Sequence, residues 1–281
     1  MLHKGSPVTA AENTSRRGCA LITGAGGGIG AAMAGELALR GWRLLLTDVR
    51  EKPMAGIADE IAARSGARPI LLPQDLAAPG GAAELCGKIA AAGEPVDLLV
   101  NSAGIYANLE EEFSNPSLAV KLLSLHVCAL TELCLFFGSR MAERGEGWIL
   151  NIASISSLFH DPSSLTYGAS KNYVRFLSES LRLELRRRGV TVSCLVPGGV
   201  DTPFFANNNV FIPAMVRKTL LPPERLAKTA LDRMFRGRRL IVPGWSGKLQ
   251  ALLFAVIVRP VFYGAVKKTY NRMKQPGEEE R

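Results

Sequence analysis

The sequence predicts an α/β protein with a single doubly wound parallel sheet flanked by helices. Two observations lead to this prediction. Short apolar runs alternate with helical segments from residue 19 to residue 242, and polar or glycine-rich turns follow several of those runs directly. Buried parallel strands are continuously apolar, as these runs are. The chain has 281 residues, 47% of them hydrophobic, so it is long enough for one sizeable core.

The elements follow one another in a regular order. The first strand is expected at residues 19–23, and a glycine-rich turn leads from it to a helix over 31–40. Later strands are expected at 43–47, 69–72, 96–100, 148–153, 190–196 and 240–242. Later helices are expected at 53–64, 80–92, 117–143, 167–188 and 223–236. This alternation is typical of a Rossmann-type sheet, whose ligands bind where the strands end.

Three regions differ in composition. Residues 1–17 are polar, lack the apolar core of a signal peptide and are expected to be a disordered tail. Residues 18–244 carry the strand and helix pattern and form the expected catalytic domain, and 245–281 form a basic, apolar extension. The five cysteines include no Cys-x-x-Cys pair, which indicates buried thiols in a reducing compartment. We therefore expect a cytoplasmic protein.

The positive charge is concentrated at the C-terminal end. The net charge is +9, whereas residues 217–281 alone carry 15 Lys or Arg against 5 Asp or Glu. No nucleic-acid recognition motif accompanies this charge, so nucleic acid is not expected as a partner. The apolar run 249–258 between Lys248 and Arg259 leaves three alternatives: a dimer or lid helix, a helix at the inner surface of a membrane, or a true anchor.

The turn after the first strand has the composition of a phosphate-binding turn. It begins at Gly24, ends at Gly30 and lies between a strand and a helix, so its backbone can approach a pyrophosphate at the helix N-terminus. Asp48 closes the second strand about where an adenosine ribose would lie. A carboxylate there accepts hydrogen bonds from ribose hydroxyls and repels a 2′-phosphate, so NAD(H) is favoured over NADP(H). Arg50 partly offsets that repulsion.

A second group of polar residues points to proton chemistry. Ser154 follows an apolar strand, and Tyr167 and Lys171 are four residues apart, so they share one face of a helix. The hydroxyl of Ser154 can hold a carbonyl oxygen while the phenol gives or takes its proton. An ammonium group beside the phenol favours the phenolate.

Five motifs together resemble the short-chain dehydrogenase/reductase family. The segment from Thr23 to Gly30 is similar to its cofactor turn, and the segment from Asn101 to Gly104 to its Asn-Asn-Ala-Gly motif. Ser154 lies thirteen residues before the Tyr-x-x-x-Lys motif, and the turn at residues 197–202 is similar to the one that meets the nicotinamide. The resemblance covers about residues 18–244.

The resemblance implies roles for these residues. Tyr167 would be the general acid/base, Lys171 would bind the nicotinamide ribose and favour the phenolate, and Ser154 would hold the substrate oxygen. We also expect Asp75, toward which the third strand leads, among the cofactor contacts. The other expected cofactor contacts are Thr23, Gly24, Gly28, Ile29, Gly30, Asp48, Asn101, Ala103, Gly104, Tyr167, Lys171, Pro197, Gly198 and Thr202.

One position departs from the family pattern. The family has an Asn in its long helix that holds a water in a proton relay, and His126 stands at the matching position. An imidazole can hold the same water and can titrate near its ordinary pKa of about 6.5. The alternative is a packed histidine without a role. No metal-ligand spacing is visible, so no metal site is expected.

The predicted function is the interconversion of a secondary alcohol and a ketone on an apolar molecule, which an acyl thioester could carry. A non-catalytic dinucleotide sensor and a membrane-associated regulatory protein are the alternatives. Residues 203–221 are expected to cover the substrate, and Phe204, Phe205, Phe211, Ile212 and Met215 suggest an apolar pocket wall. A homodimer or homotetramer is expected from the resemblance.

Overall fold

The protein is built around a seven-stranded, all-parallel sheet with strand order β3-β2-β1-β4-β5-β6-β7. The structure is a computed structural model, and it describes residues 17–158, 164–207, 217 and 219–244. The strand order reverses direction between β1 and β4, and a ligand is expected in the crevice at that point. The predicted fold class is confirmed.

The strands agree with the predicted ones to within two residues at each end. β1 begins at Arg17, two residues earlier than predicted and within the expected N-terminal tail, because Arg17 pairs with Trp42 of the neighbouring strand. The strands are β1 (Arg17–Thr23), β2 (Trp42–Thr47), β3 (Ile70–Leu71), β4 (Leu98–Asn101), β5 (Gly147–Ile152), β6 (Val190–Leu195) and β7 (Leu240–Ile241).

Helices connect successive strands and cover both faces of the sheet. The helices are α1 (Gly28–Leu39), α2 (Glu51–Ser65), α3 (Gly81–Ala91), α4 (Leu109–Ser114), α5 (Pro116–Leu123), α6 (Leu130–Arg144), α7 (Tyr167–Leu185), α8 (Phe204–Asn207) and α9 (Pro223–Phe235). Short 3₁₀ turns lie at Ile155–Ser157 and Arg186–Arg188.

Two apolar cores hold the layers together. On one face, α1, α2 and α9 pack against the sheet through fully buried side chains such as Met33, Met54 and Leu231. On the other face, α3, α6 and α7 do so through residues such as Leu85, Leu133 and Val174. Burial of apolar surface on both faces explains why the strands read as unbroken apolar runs in the sequence.

The long helix predicted over residues 117–143 is interrupted. A π-helix at Ser124–Ala129 lies between α5 and α6, and a separate short helix, α4, precedes them. A π-helix has a wider turn than an α-helix and often occurs at functional sites. The apolar pattern did not reveal it, because a single wide turn shifts the helical period only locally.

The helical stretch Pro116–Arg144 is long and apolar enough to cross a membrane by length and composition alone. Its apolar side chains Leu133, Phe137 and Met141 are nevertheless buried against the sheet, as in the core helix of a globular domain. The N-terminal tail up to residue 16, most of the substrate cover, including Phe211, Ile212 and Met215, and the C-terminal extension 245–281 lie outside the described residues. The domain boundaries and the membrane alternative therefore stay predictions.

Candidate active site

A cavity of about 660 Å³ opens at the carboxyl edge of the sheet, beside the point where the strand order reverses. The glycine turn forms one end of it, and Ser154, Tyr167 and Lys171 line the other. Most of the predicted contacts line the same cavity: Gly24, Gly28, Ile29, Asp48, Asp75, Ala103, Gly104, Pro197, Gly198 and Thr202.

The glycine turn is packed too tightly for side chains. Gly24 has a φ of 65°, and a Cβ there would lie 2.7 Å from the Cα of Ala103. A Cβ on Gly30 would lie 2.2 Å from the carbonyl oxygen of Gly24, so the start of α1 rests directly on the turn. Gly28 has a φ of 45°, and a Cβ there would lie 3.1 Å from the Cβ of Thr202. This cradle of bare backbone suits a pyrophosphate.

Thr23 joins the two strands at the reversal point. Its hydroxyl oxygen accepts hydrogen bonds from the backbone N–H groups of Ser102 and Ala103, each at 3.0 Å. Thr23 and Gly30 do not themselves line the cavity. Thr23 fixes the Asn101–Gly104 segment beside the turn, and Gly30 packs α1 against the turn.

Asp48 lies against the glycine turn. One carboxylate oxygen accepts a hydrogen bond from the N–H of Gly26 at 2.9 Å, and the other from the N–H of Arg50 at 2.8 Å. The guanidinium group of Arg50 lies 3.3 Å from the carboxylate. Asp48 is 7% exposed and lines the end of the cavity where an adenosine ribose is expected, with a cation beside it. Asp75 also lies at this end and pairs with Lys121 at 3.8 Å.

Tyr167 and Lys171 both lie in the first turns of α7 and both line the cavity. The Nζ of Lys171 donates a hydrogen bond to the carbonyl of Ile152 at 3.1 Å and lies 5.8 Å from the centre of the Tyr167 ring. Burial of Lys171 lowers its pKa from 10.5 to about 8. A lysine with a pKa near neutrality can exchange protons at physiological pH.

Ser154 follows the end of β5, directly before the 3₁₀ turn. Its backbone is extended, and its hydroxyl oxygen accepts a hydrogen bond from the N–H of Ser156 at 3.2 Å. The hydroxyl hydrogen is thereby left for an acceptor in the cavity. The role expected of Ser154, to hold a substrate oxygen, stays a prediction.

His126, on the π-helix, is buried behind the cavity. Its Nε2 accepts a hydrogen bond from the N–H of Ile105 at 3.1 Å, so Nδ1 carries the proton and donates to the Oγ of Ser170 at 3.0 Å. Ser170 in turn donates to the carbonyl of Tyr167 at 2.8 Å. Burial and the neighbouring Lys171 lower the pKa of His126 well below 6.5. Burial, Lys171 and the bonds at both nitrogens favour the neutral imidazole over titration near 6.5, and the relay role of His126 stays a prediction.

Asn101 also lies behind the cavity. Its amide group donates to the side-chain oxygen of Asn151 at 2.8 Å and to the sulfur of Cys134 at 3.2 Å. Asn151 continues the network to Ser178. Asn101 was predicted to contact the cofactor. In the structure it links β4 to β5 and, through Cys134 and Asn151, to α6 and α7 beneath the site.

Tyr106 was missed by the sequence analysis. Its ring lies 5.1 Å from that of Tyr167 and 6.4 Å from that of Phe204, which was expected in the pocket wall. Phe205 extends the aromatic wall. Nothing in the sequence marks Tyr106, because its role depends on a loop path that periodicity does not reveal. Over the described ranges, no group of three or more potential metal ligands occurs.

Known proteins with similar sequences identify the family of this chain. The sequence model of the short chain dehydrogenase family matches residues 18–211. A 2,5-dichloro-2,5-cyclohexadiene-1,4-diol dehydrogenase from Sphingobium indicum is 34% identical over 198 residues, which cover 67% of this chain and 75% of that protein. A very-long-chain 3-oxoacyl-CoA reductase from Danio rerio is 30% identical over 225 residues, which cover 76% of this chain and 67% of that protein.

Solved structures share the fold. A short-chain dehydrogenase from Sphingobium yanoikuyae in complex with NADPH has a TM-score of 0.74 at 24% identity, covering 94% of this chain and 98% of its own. One from Burkholderia phymatum in complex with NAD has a TM-score of 0.74 at 28% identity, covering 84% and 92%. The first of these structures holds NADPH and the second holds NAD. The chain belongs to the short chain dehydrogenase family and is an NAD(P)-dependent oxidoreductase.

Proposed function

We propose that this protein interconverts a secondary alcohol and a ketone on an apolar molecule, with Tyr167 as the general acid/base and NAD(H) as the favoured cofactor. The observation that carries the proposal is the pairing of Tyr167 with Lys171 on one face of α7, at the wall of a cavity that also contains the glycine turn. The residues proposed for proton transfer and those proposed for dinucleotide binding thus line the same cavity.

Each side chain has a distinct task. The hydroxyl groups of Ser154 and Tyr167 donate hydrogen bonds to the carbonyl oxygen of the ketone, which orients it and withdraws electron density. Tyr167 then gives its proton to that oxygen as it becomes the alcohol oxygen. The ammonium group of Lys171 stabilises the phenolate that remains, and its pKa of about 8 suits it to return a proton from solvent. In the oxidation direction the phenolate takes the proton.

The chain's residues fit a nicotinamide dinucleotide. The glycine turn presents backbone at the start of α1, and Asp48, Pro197 and Gly198 line the same cavity. The cofactor, when bound, supplies or accepts the hydride at the substrate carbon. Lys171 and the backbone after β6 would hold its nicotinamide half, and Asp48 its adenosine half.

The preference for NAD(H) rests on charge at the ribose end. Asp48 is buried and held by the N–H groups of Gly26 and Arg50, so it cannot turn away from an approaching 2′-phosphate at low cost. Arg50 weakens this effect, since its guanidinium group already lies beside the carboxylate. We therefore propose a preference rather than strict selection.

The aromatic wall supports an apolar substrate. Tyr106 and Phe204 lie beside the ring of Tyr167, so a substrate whose carbonyl reaches the phenol would meet aromatic side chains. Such faces stabilise flat or branched apolar groups through buried area and ring stacking. An acyl thioester with an apolar acyl group meets the same requirement.

Exposed apolar side chains support a homodimer. Val120 of α5, Leu135 of α6, and Phe176 and Leu183 of α7 are each more than half exposed, at 63%, 56%, 56% and 78%. Large apolar side chains on neighbouring helices are typical of a subunit contact. Size-exclusion chromatography with light scattering measures the predicted dimer or tetramer mass directly.

A turnover screen tests the proposed function. Purified protein is mixed with NADH or NADPH and with cyclohexanone, acetophenone, 2-octanone or acetoacetyl-CoA, and loss of absorbance at the nicotinamide band is followed. We expect reduction of at least one apolar ketone, faster with NADH. The contrary result is binding of NADH without turnover in either direction, that is, without NADH oxidation by these ketones or NAD reduction by the matching alcohols. That result would favour the non-catalytic sensor.

A further inference from the structure

The segment before the catalytic helix is held by a buried carboxylate. Glu112, on α4, is 4% exposed. Its two oxygens accept hydrogen bonds from the N–H of Leu165 at 2.6 Å, the N–H of Thr166 at 3.0 Å and the hydroxyl of Ser164 at 3.1 Å. The hydroxyl of Thr166 donates a fourth. Three consecutive residues are thus attached to one side chain.

This attachment reaches Tyr167 in one further step. The Oγ of Ser164 donates to Glu112 and accepts a hydrogen bond from the N–H of Tyr167 at 3.0 Å. Thr166 precedes Tyr167 directly, and its side chain caps no helical N–H of α7. Glu112 and Ser164 therefore satisfy groups that the start of α7 would otherwise leave without a partner.

The helix that carries Glu112 is itself fixed. Asn108 and Glu111 form a reciprocal capping box, with hydrogen bonds of 2.9 Å in both directions. α4 also follows the segment that carries Tyr106, whose ring lies against that of Tyr167. Glu112 is thus a rigid link between the substrate-side wall and the catalytic helix.

We propose that Glu112 is a positioning residue that sets the place of the Tyr167 phenol through Ser164 and the backbone of Leu165 and Thr166. This inference rests on the proposed role of Tyr167. A carboxylate can accept four hydrogen bonds, whereas the Gln side chain offers one acceptor oxygen and an NH₂ group that would face N–H donors. Displacement of a catalytic group by about 1 Å can cost ~10²-fold in rate.

The test compares Glu112→Gln and Glu112→Ala with Glu110→Gln, a control on the exposed side of the same short helix. We expect kcat for the ketone that the wild type reduces fastest to fall about 10-fold in Glu112→Gln and about 100-fold in Glu112→Ala. NADH affinity should change less than about threefold in both, because Glu112 does not line the cavity that holds the glycine turn and Asp48. The control should match the wild type.

A double-mutant cycle separates positioning from loss of stability. Ser164→Ala should lower kcat by itself. The fold loss of kcat in the double variant Glu112→Gln/Ser164→Ala should be much smaller than the product of the two single losses, since both changes break the same connection to Tyr167. Hydrogen exchange of the Leu165 and Thr166 amides, which needs no substrate, should accelerate in Glu112→Gln and not in the control.

Unchanged amide exchange would overturn the proposal, and so would a loss of kcat that tracks a proportionate loss of NADH affinity and folded protein. The kcat of Glu112→Gln is compared with the kcat of Tyr167→Phe. If Tyr167→Phe itself retains turnover, the proposed function fails. If Tyr167→Phe is inactive and Glu112→Gln reduces the ketone at the wild-type rate, only the role of Glu112 fails.

Discussion

The two halves of the cavity are built differently. The cofactor half, where the dinucleotide is expected, consists mainly of backbone: the glycine turn after β1, the segment after β4, and Asp48 held by N–H groups. The substrate half consists of side chains, namely the rings of Tyr106, Tyr167 and Phe204. Outside the cavity lining, Glu112 holds the loop that leads to Tyr167. The comparison suggests that the cofactor half tolerates few substitutions, whereas the substrate half can change selectivity without loss of the fold.

The sharpest test of the cofactor half is Gly24→Ala. The new Cβ would overlap the backbone of Ala103 at 2.7 Å, and a φ of 65° strains any residue other than glycine. Strain of about 1–3 kcal/mol, with the overlap added, should lower Tm by several degrees and abolish tight NADH binding. Thermal unfolding and NADH titration measure both.

Gly35→Ala is the matched control, because no atom lies within 4 Å of its Cβ position on α1. There the same change should stabilise the protein by up to about 1 kcal/mol. Equal effects at both glycines would contradict the backbone account of the cofactor half.

The corresponding change in the substrate half is Tyr106→Ala. Loss of an aromatic wall should lower kcat/KM for a bulky apolar ketone about 10- to 100-fold, equivalent to roughly 1–3 kcal/mol, while NADH affinity and Tm stay near the wild-type values. Steady-state kinetics with acetophenone and acetone measure the effect. Tyr106→Phe keeps the ring and should retain most of the turnover. An equal loss with acetone would argue against a specificity role.

Asp48→Asn addresses selectivity within the cofactor half. The amide keeps an oxygen for the N–H of Gly26 but removes the negative charge, so the ratio of kcat/KM with NADH to that with NADPH should fall about 10-fold. Arg50→Ala should raise the same ratio, since it removes the cation beside the carboxylate. A wild-type preference for NADPH would mean that Arg50 outweighs Asp48.

The smallest expected effect concerns His126, which is buried behind the cavity. Its folded-state pKa is depressed, so the unfolded chain binds the proton more readily below about pH 6.5. Stability should therefore fall as the pH drops below 6.5, by about 1 kcal/mol per pH unit from this group. Urea unfolding at pH 7 and pH 5 should show a smaller drop in His126→Asn. An identical drop in both proteins would show that the imidazole is not buried in its neutral form.

The difference between the halves also explains which site residues could be predicted from the sequence and which could not. Gly24, Asp48, Ser154, Tyr167 and Lys171 line one cavity as predicted, because strand ends and helical spacing fix such positions locally. Tyr106 and Glu112 could not be identified, since their contacts depend on the path of a loop and on residues some fifty positions away. Within its Glu-rich segment, Glu112 is indistinguishable from a solvated charge.

His126 shows a third situation. The substitution was visible in the sequence, but its consequence was not. The π-helix turns the imidazole toward Ile105 and Ser170, which occupy both nitrogens. A pattern of residue types does not reveal a single wide helical turn, so whether His126 titrates could be decided only from its surroundings.

Tyr167→Phe tests the central claim most directly, because it removes one hydroxyl group and keeps the ring that packs against Tyr106. General acid/base catalysis is commonly worth ~10²–10⁴-fold, so kcat for ketone reduction with NADH should fall by that factor. NADH affinity, measured by fluorescence titration, should stay within about threefold of the wild-type value. A variant that binds NADH normally and reduces the ketone at close to the wild-type rate would contradict the assignment of Tyr167 as the proton donor.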